Sequence, residues 1–171
     1  MIEVIDNYLP QDDYEVIYNY FMGLYDRGDI ANSCVWTFND GISLPQDGYY
    51  QFVQQIFSCH TIISPAFSLL EKITEEMSAI IRIKANLITS TEELKIFDWA
   101  FHNDIPIEKT EGVTTAIYYV NSNDGYTLFD DGTKVDSVSN RFVKFPASLK
   151  HTGTTCTNTN RRVLINFNYY A

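Results

Sequence analysis

Trp99-Ala100-Phe101-His102-Asn103-Asp104-Ile105-Pro106 sets a histidine two residues before an aspartate, and Lys150-His151-Thr152-Gly153 supplies a second histidine 49 residues on. Side chains at i and i+2 share one face of an extended segment, so His102 and Asp104 can turn toward one ion. Alone the pair says little: three histidines and 22 acidic residues in 171 positions give about 0.4 such matches by chance. His151 changes the odds if the intervening chain folds as strands that return beside the first. Two imidazoles and one carboxylate then hold one face of an octahedral ion and leave three positions open, the donor set of non-haem Fe(II) sites.

The intervening chain does read as strand and turn. Residues 113–121 are β-branched and aromatic, and Asn123-Asp124-Gly125 is a hairpin turn. Short strands are expected at 126–129, 134–138, 141–145 and 162–170, with Asp130-Asp131-Gly132 as a second turn. On the last strand Arg162, Leu164, Asn166 and Asn168 form a mixed polar face, while Val163, Ile165, Phe167 and Tyr169 form an apolar face with Arg161. A buried arginine suits an anionic ligand, and the polar face favours Arg162 over Arg161 for that part. The bland alternative is an exposed strand start, where a basic residue guards an edge.

Upstream the pattern turns helical. A strand at 2–5 precedes a helix over 12–26, with Val16, Ile17, Tyr20, Phe21 and Leu24 on one face and Gly28 ending it. A strand is expected at 33–38. Asp47-Gly48 opens a second helix through Phe57, with Phe52, Val53, Ile56 and Phe57 sharing a face. Ser64-Pro65 opens a third, with Phe67, Leu70, Ile73, Met77 and Ile80 as its buried stripe. His60 falls at the end of the second helix, where a histidine suits the helix dipole. From residue 80 the period alternates: Arg82, Lys84 and Asn86 point one way, and Ile81, Ile83, Ala85 and Leu87 the other. Residues 89–95 are a polar loop. The expectation is one α+β domain over 1–171, a double-stranded β-helix or jelly roll over about 80–171 with helical support over 1–80 on one outer face.

Composition bounds the function. Hydrophobic residues make up 45% and charged residues 20%, as in a globular protein. The formal net charge is -10 and the pI about 4.6, which disfavours nucleic acid as a partner. Cys34, Cys59 and Cys156 lie at unrelated spacings, read as free thiols in a reducing cytoplasm. No signal peptide and no membrane span is expected.

Taken together, Phe101-His102-Asn103-Asp104, Thr114-Thr-Ala-Ile-Tyr-Tyr-Val-Asn121, Asp124-Gly-Tyr-Thr-Leu-Phe129, Asn140-Arg-Phe-Val-Lys-Phe-Pro146, His151-Thr-Gly153 and Arg162-Val-Leu-Ile-Asn166 resemble the Fe(II)- and 2-oxoglutarate-dependent dioxygenases. The prolyl-4-hydroxylase-like branch, with small members encoded by bacteriophages, is the nearest likeness. By motif the resemblance covers roughly residues 80–171. It implies His102, Asp104 and His151 as iron ligands and Arg162 as partner of the distal carboxylate of 2-oxoglutarate. Tyr119 lines that cosubstrate, with Ile117 and Thr115 on the same strand face, and either Thr127 or Leu128 beside them; Tyr118 points to the core. Thr154 and Thr155 are further candidates for contact with it.

The same resemblance implies hydroxylation of a C–H bond with release of succinate and CO2, dioxygen as oxidant and ascorbate as an accessory reductant. A peptidyl proline or other amino-acid side chain is the favoured substrate, and a small metabolite the alternative. A phage-encoded member would work in the host cytoplasm. Candidates for the substrate rim are Asn86, Trp36, Tyr49, Tyr50 and Trp99, with Asn86 the best placed and also a candidate for cosubstrate contact. Two readings from other classes compete: a jelly roll that binds metal without catalysis, and a zinc hydrolase. The hydrolase lacks a placed general base, since Glu108 and Glu111 lie in the following loop. The sequence does not give the oligomeric state.

Overall fold

The structure, a computed structural model, describes residues 1–24, 34–42 and 48–171. The described residues form eleven strands: β1 (Glu3–Ile5), β2 (Thr37–Asn39), β3 (Gln51–Ser58), β4 (Thr61–Ile62), β5 (Ala79–Thr89), β6 (Val113–Tyr119), β7 (Tyr126–Phe129), β8 (Lys134–Asp136), β9 (Arg141–Pro146), β10 (His151–Gly153) and β11 (Arg161–Tyr170). All pairings are antiparallel. The large sheet runs β1-β9-β6-β11-β5-β3-β2, with β4 paired to β3, and the small sheet runs β10-β7-β8. The two α-helices among the described residues, α1 (Gln11–Met22) and α2 (Glu71–Thr74), come from the first 80 residues.

The alternation on β11 and β6 divides the apolar residues between two cores. Val163, Ile165 and Phe167, with Ala116 and Tyr118, face outward and pack with Ile17, Tyr20 and Phe21 of α1 and with Leu70 and Ile73. Ile117, Tyr119, Val143, Phe145 and Leu164 face the other way, against Phe129 and Val135 of the small sheet. That second cluster fills the space between the two sheets, as facing sheets require. The site described below lies at its open end.

The helical half is smaller than the sequence suggests. α1 ends at Met22 because Gly23 takes the left-handed conformation (φ 65°), its N–H on the Tyr20 carbonyl and that of Leu24 on Asn19. Gly28, the stop read from the sequence, lies outside the described residues, as does Ser33; of the strand expected at 33–38 only the end is strand, β2 at Thr37–Asn39, and residues 34–36 are irregular. The second expected helix does not exist: residues 51–58 form β3, between β5 and β2. A register shift between Gln55 and Phe57 breaks the alternation there. Phe52, Val53, Ile56 and Phe57 therefore imitate a 3.6-residue period, and bulges mislead periodicity in this way.

His60 accordingly sits in the turn between β3 and β4, with φ 61°, and faces no helix end. The third helix begins as expected: Ser64 Oγ accepts from the Ala66 N–H at 3.2 Å, with Pro65 in the first turn. It runs as a 3-10 helix over Pro65–Leu70 and as α2 only to Thr74, after which Ala79 already belongs to β5. The α+β jelly-roll reading stands, with the correction that the support described is one full helix, one short one and the four strands β1 to β4, two of them, β3 and β4, unexpected.

Candidate active site

β10 places His151 in the small sheet opposite Phe129. The next segment to pair with β10 is the one carrying His102: the two histidines form an isolated antiparallel bridge, with both backbone hydrogen bonds made at 3.0 and 3.1 Å. Asp104 lies two residues on, and the three side chains come together with ligand atoms all within 4.8 Å of one another. His102 Nε2 is 4.0 Å from Asp104 Oδ1, and His151 Nε2 is 4.0 Å from Asp104 Oδ2. The ring of His102 is fixed by Nδ1 donating to the Ala100 carbonyl at 2.8 Å, which leaves the Nε2 lone pair facing Asp104. Asn103, between the ligands, points away and donates to the Ala147 carbonyl at 2.9 Å.

The electrostatics suit a cation. Burial alone raises the Asp104 carboxyl, but His151, Arg82, His102 and Lys84 outweigh it and hold its pKa down at about 2. Burial pushes the His151 imidazole down to about 4, against the opposing pull of Asp104. At neutral pH the set is therefore one carboxylate and a neutral His151, as metal ligation requires. The donor set and its spacing fit a divalent ion that leaves positions open, so His102, Asp104 and His151 are the residues that would hold Fe(II).

Asp104 is also braced from behind. Arg82 of β5 donates to Asp104 Oδ1 at 2.9 Å and to Asn168 Oδ1 at 3.1 Å, and Asn168 Nδ2 lies 3.0 Å from Thr115 Oγ1 and 3.4 Å from Asp104 Oδ2. Thr115 thus sits behind Asp104 rather than on the cavity wall.

A cavity of about 70 Å³ lies against the triad, and Arg162, Asn86, Ile117, Thr127, Lys84 and Asn166 are among its walls. Arg162 is 1% exposed. Its Nε donates to Ser137 Oγ at 2.8 Å and its Nη2 to Thr127 Oγ1 at 3.2 Å, and no described carboxylate pairs with it. Its guanidinium lies 5.7 Å from the centre of the Tyr119 ring, and the Tyr119 hydroxyl donates to Thr127 Oγ1 at 2.7 Å. Burial lowers the pKa of Arg162 and raises that of Tyr119. Two glycines make room for the Arg162 side chain. A Cβ on Gly125 would come within 2.8 Å of Arg162 Cδ and 2.6 Å of the Thr155 carbonyl, and one on Gly153 within 3.3 Å of Arg162 Nη1.

The neighbouring Arg161 turns to the opposite face, where it donates to the Met22 carbonyl at the C-terminus of α1. Of the open pair Thr127 and Leu128, Thr127 lines the cavity. Thr154 and Thr155 do not: Thr154 holds the Tyr126 N–H and Thr155 the Lys95 N–H. Tyr118 faces the outer core and donates to Asn140 Oδ1 at 3.0 Å. Of the rim candidates, Asn86 lines the cavity while Tyr49 and Trp99 stack on each other with ring centres 6.2 Å apart; Tyr50 packs on Phe38 and Phe52, and Trp36 on Phe21. Sequence reasoning gave Arg82, Lys84, Ser137 and Phe97 no part in the site, although the shared parity of Arg82 and Lys84 with Asn86 was a usable signal.

No family model and no curated protein matches the sequence. Solved structures do match the fold. A prolyl hydroxylase from Trichoplax adhaerens, in complex with a hypoxia inducible factor peptide fragment, is 14% identical with a TM-score of 0.59, covering 99% of this chain and 83% of its own. The viral collagen prolyl hydroxylase of Paramecium Bursaria Chlorella virus-1, in its 2OG complex, is 13% identical with a TM-score of 0.58, covering 99% and 96%. The non-heme alpha ketoglutarate dependent epimerase SnoN from nogalamycin biosynthesis is 11% identical with a TM-score of 0.58, covering 99% and 78%. The chain therefore has the fold of the 2-oxoglutarate- and Fe(II)-dependent oxygenases.

Proposed function

We propose that the chain is an Fe(II)- and 2-oxoglutarate-dependent dioxygenase that hydroxylates a C–H bond of an amino-acid unit, releasing succinate and CO2. One observation carries the reading: Arg162, wholly buried and without a described anionic partner, faces the same cavity as the His102, Asp104 and His151 set. A buried guanidinium that meets only hydroxyls is costly unless an anion joins it. A dicarboxylate reaching from the triad to Arg162 satisfies both ends.

Fe(II), when bound, supplies the activation of dioxygen, coupled to oxidative decarboxylation of the cosubstrate. The protein's part is geometric and electrostatic. His102, Asp104 and His151 hold the ion from one side. Arg162 and Thr127 bind and align the distal carboxylate, Tyr119 steadies Thr127 from behind through its hydroxyl, and Ile117 and Leu164 exclude water along its length. The likeness to prolyl hydroxylases makes a peptidyl proline one candidate substrate. Anaerobic titration with Fe(II) and 2-oxoglutarate tests the reading. A weak visible charge-transfer band and succinate release in air with ascorbate are expected, both abolished in His102→Ala. A band absent from the wild type, with no succinate formed, overturns it and favours a jelly roll that binds without catalysis.

A further inference from the structure

Beside the metal-binding set the cavity holds a second polar group that the chemistry proposed above does not use. Lys84 of β5 and Asn166 of β11 are register partners, Asn86 lies two residues along β5, and all three line the cavity with His102, Asp104 and His151. Asn86 is 9% exposed and Asn166 6%. The side-chain oxygen of each is buried with no hydrogen-bond partner. Carboxamides kept in this state are waiting for a ligand, because each offers one acceptor and a pair of donors.

Lys84 is the third member. It makes no ion pair among the described residues, and the charged groups that act on it are Arg82, of the same sign, and Asp104. Asp104 is already engaged by Arg82 and Asn168. Burial and Arg82 hold the Lys84 ammonium below its ordinary pKa, so an anion placed beside it is stabilising. Charge matching in the loaded site leaves this group over. Asp104 and the near carboxylate of 2-oxoglutarate balance Fe(II), and the far carboxylate balances Arg162. Arg82 reaches water, with its side chain 23% exposed. Lys84 remains, half-buried and with no ion-pair partner among the described residues.

We infer that Lys84, Asn86 and Asn166 form the subsite for the primary substrate, and that this subsite takes a free carboxylate next to an N–H donor: an α-amino acid, or the C-terminal residue of a peptide. Lys84 holds the carboxylate, and the amide oxygens accept from the N–H. A proline inside a peptide chain offers neither, since its amide nitrogen carries no hydrogen and its carbonyl no charge. The inference rests on the dioxygenase reading and narrows its substrate class.

Saturation-transfer NMR on the full chain, loaded with Zn(II) and 2-oxoglutarate, reads binding without turnover. The probes are the free L-amino acids, their N-acetyl methylamides, and Gly-Gly-X tripeptides with free or amidated C-termini; an amino-acid arm with Zn(II) alone runs in parallel. At least one free-carboxylate probe is expected to bind ten-fold or more tightly than its amide. Lys84→Met is expected to erase that preference and Lys84→Arg to keep it. Free amino acids against tripeptides then distinguishes the two sources of the same group.

Equal binding of acid and amide overturns the inference, as does no binding of any free carboxylate, or a preference that survives in Lys84→Met. Lys84→Met that weakens 2-oxoglutarate while keeping the preference assigns Lys84 to the cosubstrate instead, which also overturns it. The acid-to-amide comparison on the wild type stands if that variant fails to fold. Absence of the Fe(II)–2-oxoglutarate band strikes the dioxygenase reading, whereas a band without carboxylate preference strikes this inference alone.

Discussion

His102 and His151 exchange both backbone hydrogen bonds, the N–H of each reaching the carbonyl of the other at 3.0 and 3.1 Å. The bridge ties the two imidazoles to the main chain rather than to each other's side chains, and their ring centres lie 4.9 Å apart. Replacing either imidazole by a methyl group therefore leaves the bridge in place. His102→Ala and His151→Ala are expected to fold with near-native circular dichroism while Fe(II) affinity falls by about 100-fold or more, as loss of one of three ligands implies. Equilibrium metal titration checks this.

Arg162→Met separates stability from binding. A buried charge replaced by an apolar side chain of similar length is often neutral or stabilising, so the melting temperature of the metal-free protein should hold or rise. Loss of one partner of a buried charge pair costs binding about 2–5 kcal/mol, so 2-oxoglutarate should no longer raise the melting temperature. A melting temperature that drops sharply, with the 2-oxoglutarate response intact, would show Arg162 to be a packing residue.

Gly125→Ala should disturb the same side chain through its Cδ methylene. The added Cβ meets the Thr155 carbonyl at 2.6 Å and Arg162 Cδ at 2.8 Å, and one of those contacts is backbone. Overpacking of this kind costs about 1–3 kcal/mol. Urea denaturation should show that loss, and 2-oxoglutarate should bind more weakly because Arg162 has moved. Gly132→Ala is a poor control despite its open surroundings, because its φ of 87° strains any side chain.

The sequence carried the strands of the site better than the helices around it. β6 and β11 alternate, so parity put Tyr118 and Tyr119 on opposite faces and separated Arg162 from Arg161, while the choice of Tyr119 as the inner ring came from the family likeness. β3 was read as a helix because its register shift breaks that alternation, and a short apolar run does not by itself distinguish the two periods. The bracing of Asp104 was not legible either. Arg82 and Asn168 are 86 positions apart and meet only because β5 and β11 pair, a register that local pattern does not encode.

Acid should weaken the metal-free protein in two stages. Burial lowers the pKa of His151 from 6.5 to about 4, so the unfolded chain takes up that proton first as the pH falls. The stability tied to neutral His151 is whole above about pH 6.5 and is lost between there and about pH 4; it is on the order of 3 kcal/mol. Asp104, held at about 2 against 3.8, adds a further loss between about pH 4 and pH 2. Melting curves from pH 7.5 to 4.5 should fall in the wild type and flatten over that range in His151→Gln.

Arg82→Met probes the bracing of Asp104. Arg82 holds one carboxylate oxygen at 2.9 Å and steadies Asn168, which approaches the other at 3.4 Å. With the guanidinium gone, Asp104 keeps its charge and its place in the chain but loses the group that fixes its rotation. Such outer contacts are worth about 10–100-fold in metal affinity. Anaerobic Co(II) titration, with the ligand-field spectrum as readout, is expected to show that weakening. Arg82→Lys should recover only part of it, since a single ammonium does not hold Asp104 and Asn168 at once. Wild-type Co(II) affinity in Arg82→Met, with an unchanged spectrum, would reduce Arg82 to a surface ion pair.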